Sequence, residues 1–159
     1  MKLTTKGRYA VTAMLDLALH AQENPVSLSE ISVRQGISLS YLEQLFSRLR
    51  KHKLVSSTRG PGGGYRVARP LADVVVSQII TAVNETVDAT QCGGRENCHG
   101  HGRCLTHDLW EGLSAQIEEF LSGVSLEDLI HQKNVKTVTV RQLQEMVQQP
   151  QSRLVAASS

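Results

Sequence analysis

Three cysteines, Cys92, Cys98 and Cys104, fall within thirteen residues, and no others occur in the 159-residue chain. With His107 they form the pattern Cys-x5-Cys-x5-Cys-x2-His. An odd number of thiols cannot pair fully as disulfides, and their position in a polar, glycine-rich stretch points to thiolate or metal chemistry. Three thiolates and a neutral imidazole make a four-point site for a thiophilic metal. Zinc favours cysteine pairs about two to four residues apart, whereas longer gaps let the chain travel around a larger object such as an iron–sulfur cluster. Gly93, Gly94, Gly100 and Gly102 free the backbone to wrap it. His99 and His101 are bystanders or sit outside the ligand set as its hydrogen-bonding neighbours in this reading, and a metal-free redox switch is the alternative use of the thiols.

Upstream of that loop the chain shows three helical segments followed by a hairpin pattern. From Thr5 to about Gln22 the residues Tyr9, Val11, Ala13, Met14, Leu17, Ala18 and Ala21 recur at helical steps, and Asn24-Pro25 ends the run. Ser27 and Glu30 form a capping box for a second helix that stops at Gly36. A third helix begins at Ser38 or at Ser40, the latter placing Glu43 at the N3 position, and continues through YLEQLFSRLRKHK. Helix, glycine turn, helix is the spacing of a helix-turn-helix unit. The third helix turns Leu42, Leu45, Phe46 and Leu49 inward. Ser40, Gln44, Ser47 and Lys51 then lie opposite, with Glu43 and Arg50 on one flank and Tyr41 and Arg48 on the other. Hydroxyls and an amide suit base edges, and the cations suit phosphates, although an ordinary amphipathic surface helix has the same periodicity. Residues 54–58 and 65–68 alternate like strands around RGPGGG, a β-hairpin wing whose Arg59 is placed to enter a minor groove. Residues 1–70 hold eleven lysines and arginines against four acids, while the net charge of the whole chain is only +2. The remainder is therefore acidic, and the basic half is the one suited to a polyanion.

After Pro70 a short apolar run leads into a helix capped by Ser77 and carrying Ile79, Ile80, Ala82 and Val83. Beyond the cysteine loop, Leu105, Leu109, Leu113, Ile117, Phe120 and Leu121 make a long apolar stripe with Trp110 beside it. Such a helix needs a partner, either its own copy in a two-fold dimer or a fold back onto the same chain. The fold class is mainly α with a small β-hairpin wing. A winged helix-turn-helix domain is expected over 1–87, a cluster loop over 88–104, a dimerisation helix region over 105–130 and a disordered, glutamine-rich tail over 131–159. No apolar run approaches the roughly 20 residues of a membrane span, and the N-terminus lacks a signal-peptide pattern, so a cytoplasmic protein is expected. No Ser/His/Asp, paired-carboxylate or phosphate-loop constellation suggests an enzyme.

The segments LTTKGRYAVTAMLDLAL, QGISLSYLEQLFSRLRK, RGPGGGY and C-x5-C-x5-C-LTH resemble the IscR-type iron–sulfur cluster regulators, dimeric winged-helix transcription factors, over about residues 1–130. The resemblance implies a homodimer with crossing long helices. It also implies one 2Fe-2S cluster per subunit, held by Cys92, Cys98, Cys104 and His107 and donated by the cluster-assembly machinery. Such a regulator represses or activates cluster-assembly and related genes, cluster occupancy selecting the DNA sites bound. The expected DNA contacts are Ser40, Glu43 and Gln44 at base edges, Arg59 in the minor groove, and Lys6, Arg8, Tyr41, Arg48, Arg50 and Lys51 at phosphates. Glu43 is expected to act as the selectivity element, unless it merely completes a cap with Ser40. A zinc- or redox-dependent winged-helix repressor and an iron–sulfur electron or cluster carrier are the alternative functions.

Overall fold

The computed structural model describes residues 3–85, 89–90, 95–97 and 99–148. Helix α1 (Thr5–His20) buries Ala10, Ala13, Met14, Leu17 and Ala18. Helix α2 (Leu28–Gln35) opens with the expected box, in which Ser27 Oγ accepts from the Glu30 amide at 3.2 Å and Glu30 Oε2 accepts from the Ser27 amide at 2.8 Å. Gly36 ends it in the left-handed region at φ 66°, where a side chain would be strained. Helix α3 (Leu39–Lys51) is capped by Ser38, whose Oγ accepts from the Tyr41 amide at 3.2 Å. That corrects the Ser40 alternative: Ser40 is the second residue of the helix, so Glu43 is too far along to complete a cap.

Strands β1 (Val55–Thr58) and β2 (Gly64–Val67) pair antiparallel, Val55 opposite Val67 and Thr58 opposite Gly64. A bridge between Val26 and Tyr65, with reciprocal bonds of 3.0 and 2.7 Å, ties the wing to the entry of α2. Gly64 is required there because a Cβ would stand 2.5 Å from the Val26 carbonyl. Tyr65 also meets Phe46 edge-on, with ring centroids 5.0 Å apart, so the wing is packed onto the third helix.

The remaining elements are a 3-10 turn (Leu71–Asp73), α4 (Val76–Ala82), α5 (His107–Ser122), α6 (Leu126–Ile130) and α7 (Lys133–Gln148). Helix α4 starts two residues earlier than the Ser77 cap would require: Val75 is the N-cap, its amide donates to Gln78 Oε1 at 3.2 Å, and Ser77 is buried in the first turn. Val74, Ile79, Ala82, Val83 and Leu126 join the core of the helix-turn-helix, and paired backbone bonds at 74–76 and 124–126 hold the two stretches together. Leu105 lies outside α5, fully exposed in the turn before it.

The expected disordered tail is corrected over 133–148, which form α7. Val135, Val138 and Gln142 face α1 across a cavity of about 250 Å³ lined also by Val11, Leu15 and Leu19. Gln142 and Gln35 exchange reciprocal amide bonds of 3.1 Å. Gln35 in turn donates to Asp16 Oδ2 at 2.7 Å, and Asp16 takes a bidentate grip from Arg34. The glutamines that made the segment look unstructured therefore include one that docks it. No described helix is long and apolar enough to cross a membrane.

Candidate nucleic-acid interface and metal centre

The amphipathic pattern of α3 settles which side chains it offers. Leu42, Leu45, Phe46 and Leu49 are buried, and Ser40, Glu43, Gln44, Ser47, Arg50 and Lys51 are exposed. Hydrogen-bonding groups for base edges and cations for phosphates thus share one solvent face. Arg50 Nη1 donates to Ser57 Oγ at 3.3 Å, which ties the end of α3 to the first wing strand. Two expected contacts have additional work in the fold. Tyr41 is half-buried and meets Tyr9 edge-on at 5.9 Å. Arg48 is half-buried and donates to the Val83 carbonyl at 3.1 Å, so part of its guanidinium is directed toward the end of α4.

Arg59 projects at the exposed wing tip, followed by Gly60 at φ 94° and Gly62 at φ 73°, and the Gly63 amide closes that turn on the Gly60 carbonyl at 2.9 Å. Arg8 is exposed and Lys6 half-buried in the first turn of α1. That turn has neither an acidic residue nor a side-chain cap on Thr4, so the positive end of its dipole faces outward uncancelled from within the turn.

Cys104 and His107 lie one turn apart where the loop enters α5, and the His107 amide donates to the Cys104 carbonyl at 3.2 Å. His107 is 1% exposed and Cys104 half-buried. The Thr106 hydroxyl accepts from Trp110 Nε1 at 3.0 Å, pinning the N-terminal turn of α5. Arg103 pairs with Glu96 and, at 2.8 Å, with Asp108, joining the two arms of the loop. Its hydrogen bond and positive charge hold the Glu96 carboxyl below the usual range. Between those arms His99 and Gly102 bond back to back at 3.1 and 3.2 Å around Gly100 at φ 62°, leaving the side chains of His99 and His101 exposed. Cys92 and Cys98 lie outside the described residues. A soft thiol in the turn before α5 and a buried imidazole at its first residue fit a thiophilic metal group. Carboxylates are also near: His107 Nε2 is 4.0 Å from Glu111 Oε2.

Along α5, Leu109 (61% exposed), Trp110, Leu113 and Phe120 (69%) stand in solvent, while Ile117 and Leu121 are half-buried. Sequence reading missed three participants. The buried Asp16–Arg34 pair joins residues eighteen positions apart, and Glu85 is buried at the exit of α4. A single acid within an apolar pattern was the one local sign of Asp16 or Glu85.

A helix-turn-helix with a cationic, amide-bearing third helix and a packed hairpin wing defines a winged-helix DNA-binding regulator. Residues 3–132 match the model of the Rrf2 family, described as iron-dependent transcriptional regulators. The chain belongs to this family, and it is a transcription regulator rather than an enzyme. It is 60% identical over 153 residues to the HTH-type transcriptional regulator IscR of Photorhabdus laumondii, covering 96% of this chain and 93% of that one. With the IscR regulator of Aliivibrio salmonicida it shares 62% identity over 142 residues, 89% of this chain and 84% of that one. Among solved structures, T. potens IscR superposes with a TM-score of 0.68 at 42% identity, over 82% of this chain and 86% of that one. CymR, the global cysteine regulator of B. subtilis, does so with 0.71 at 32% identity, over 81% and 95%.

Proposed function

We propose that this regulator senses iron–sulfur status through a 2Fe-2S cluster, one per subunit, held by Cys92, Cys98, Cys104 and His107. The observation that carries the reading is the placement of half-buried Cys104 in the turn that enters α5 and of buried His107 as the first residue of that helix, which also exposes the long apolar stripe. The ligands bind as thiolates and neutral imidazole, so loading releases protons and ties the loop to α5. When bound, the cluster supplies a group whose presence and charge vary with iron supply and oxidation. The chain's own residues then do the rest. The stripe from Leu109 to Leu121 pairs with its copy in a homodimer, which presents two α3 helices and two wings to a pseudo-palindromic duplex with half-sites a multiple of about 10 base pairs apart. Ser40, Gln44 and Glu43 face base edges, Arg59 enters the minor groove, and Lys6, Arg8, Arg50 and Lys51 hold phosphates, with Tyr41 and Arg48 at the margin. The genes controlled are those of cluster assembly, whose machinery also donates the cluster in the cytoplasm.

The visible absorption spectrum of protein purified without oxygen tests the ligand set. Wild type is expected to be coloured, with two irons per subunit. His107→Ala is expected to lose the cluster or to hold it weakly. A colourless wild type containing zinc would support the zinc-dependent alternative, and an unchanged spectrum in His107→Ala would move the fourth ligand elsewhere.

A further inference from the structure

The short passage from Val83 to Glu85 touches two DNA-facing elements at the point where the chain leaves α4 for the cysteine loop. The Val83 carbonyl accepts from Arg48 of α3 at 3.1 Å. Asn84 takes a left-handed conformation at φ 59°, which turns the chain back so that the Glu85 amide bonds the Ile80 carbonyl at 3.2 Å. Glu85 is 8% exposed, and its Oε2 has no hydrogen-bond partner among the described residues. That carboxylate lies against Gly7, where an added Cβ would overlap Oε2 and come within 3.3 Å of the carboxyl carbon.

Gly7 sits inside the first turn of α1 and its φ is not positive, so the backbone does not call for glycine there. Glycine weakens a helix. What it provides at this position is room for the Glu85 carboxylate. The same turn lacks an acid and a side-chain cap, so a negative group from outside complements its dipole. Lys6 and Arg8 flank Gly7 in this turn.

A buried carboxylate oxygen without a hydrogen-bond partner is held at a cost, and a small movement of the chain at Glu85 changes that cost and the field on the first turn together. We propose that Glu85 is a positioning residue that transmits the state of the cysteine loop to the DNA-contacting first turn of α1, seated there by Gly7. The inference rests on the cluster-sensing reading. It assigns the link between loop and DNA to Glu85 against Gly7, with Val83 against Arg48 as its second contact.

The test compares wild type, Glu85→Gln, Gly7→Ala and the double variant Gly7→Ala/Glu85→Ala, each with and without its cluster. The probe is a duplex selected by the cluster-loaded wild type from a random pool, at one salt concentration. Cluster absorbance per subunit and thermal midpoint are recorded for each protein. Glu85→Gln keeps the side-chain size, and the double variant removes the overlap that Gly7→Ala alone creates, so these two are expected to fold with a thermal midpoint near that of wild type. The ratio of loaded to cluster-free affinity, about tenfold in wild type, is expected to fall below about threefold in every folded variant while cluster absorbance is unchanged. A ratio that stays at the wild-type value in Glu85→Gln and in the double variant overturns the proposal and leaves the sensing reading standing. A wild type with no cluster, or with equal affinities, overturns both.

Discussion

At the residue scale, three side chains carry distinct expectations. Gln44 is exposed on the solvent face of α3 and has the amide geometry for adenine N6 and N7. Gln44→Ala should relax sequence choice at one base pair by about 1 to 3 kcal/mol. Arg50→Ala should instead weaken all duplexes alike and reduce the salt slope by about 1, both readable from titrations at several salt concentrations. Glu43 is exposed and, with Ser38 as the cap, has no capping duty to lose. Glu43→Ala should therefore shift unfolding free energy by no more than about 0.5 kcal/mol. It should also let cluster-free protein bind duplexes that wild type binds only when loaded, because an acid near phosphates and base edges penalises sites that offer it no donor. An unchanged ratio of loaded to cluster-free affinity in that variant would remove the selectivity role. Asp16 is different in kind. Its side chain is 0% exposed against Arg34 at 7%, with a 2.8 Å ion pair and a further bond from Gln35. Asp16→Ala should cost about 3 to 5 kcal/mol in denaturant unfolding, because it strands a buried guanidinium.

At the scale of elements, legibility in the sequence followed the range of the signal. The Ser27 cap, the Gly36 stop, the inward face of α3 and the wing around RGPGGG each depend on residues a few positions apart, and each appears in the structure. Both Ser38 and Ser40 fit a cap locally, and only the Ser38–Tyr41 bond distinguishes them. Helix α7 was hidden because its anchor is not local. Gln142 pairs with Gln35, 107 positions away, and glutamine-rich composition carries no hint of that bond. The candidate metal ligands are proposed as a set from their spacing. What spacing could not give is burial, and it is burial that separates His107 from the exposed His99 and His101. The apolar stripe of α5 was legible as well, and its exposure in a single chain gives it a test. Replacing Leu113 by Glu should convert the proposed dimer to monomer in sedimentation experiments and weaken duplex binding by removing one of the two half-site contacts. A variant that sediments like wild type would assign the stripe another role.

At the scale of the whole molecule, the core is continuous. Val74, Ile79, Val83 and Leu126 from the second half pack with Met14, Leu17, Phe46 and Leu49 of the first. The helix that begins at His107 is thus mounted on the same framework as α3, and α4 is the shared support. Framework and basic surface make a DNA-binding regulator, and in the proposed function the cysteine loop makes it conditional. The most direct measurement of that conditionality is the affinity of the full chain for a selected duplex, before and after the cluster is removed, at a fixed salt concentration. The account predicts at least one class of duplex for which affinity falls by about tenfold on removal and returns on reconstitution. Equal affinities of the two forms for every selected duplex would contradict it.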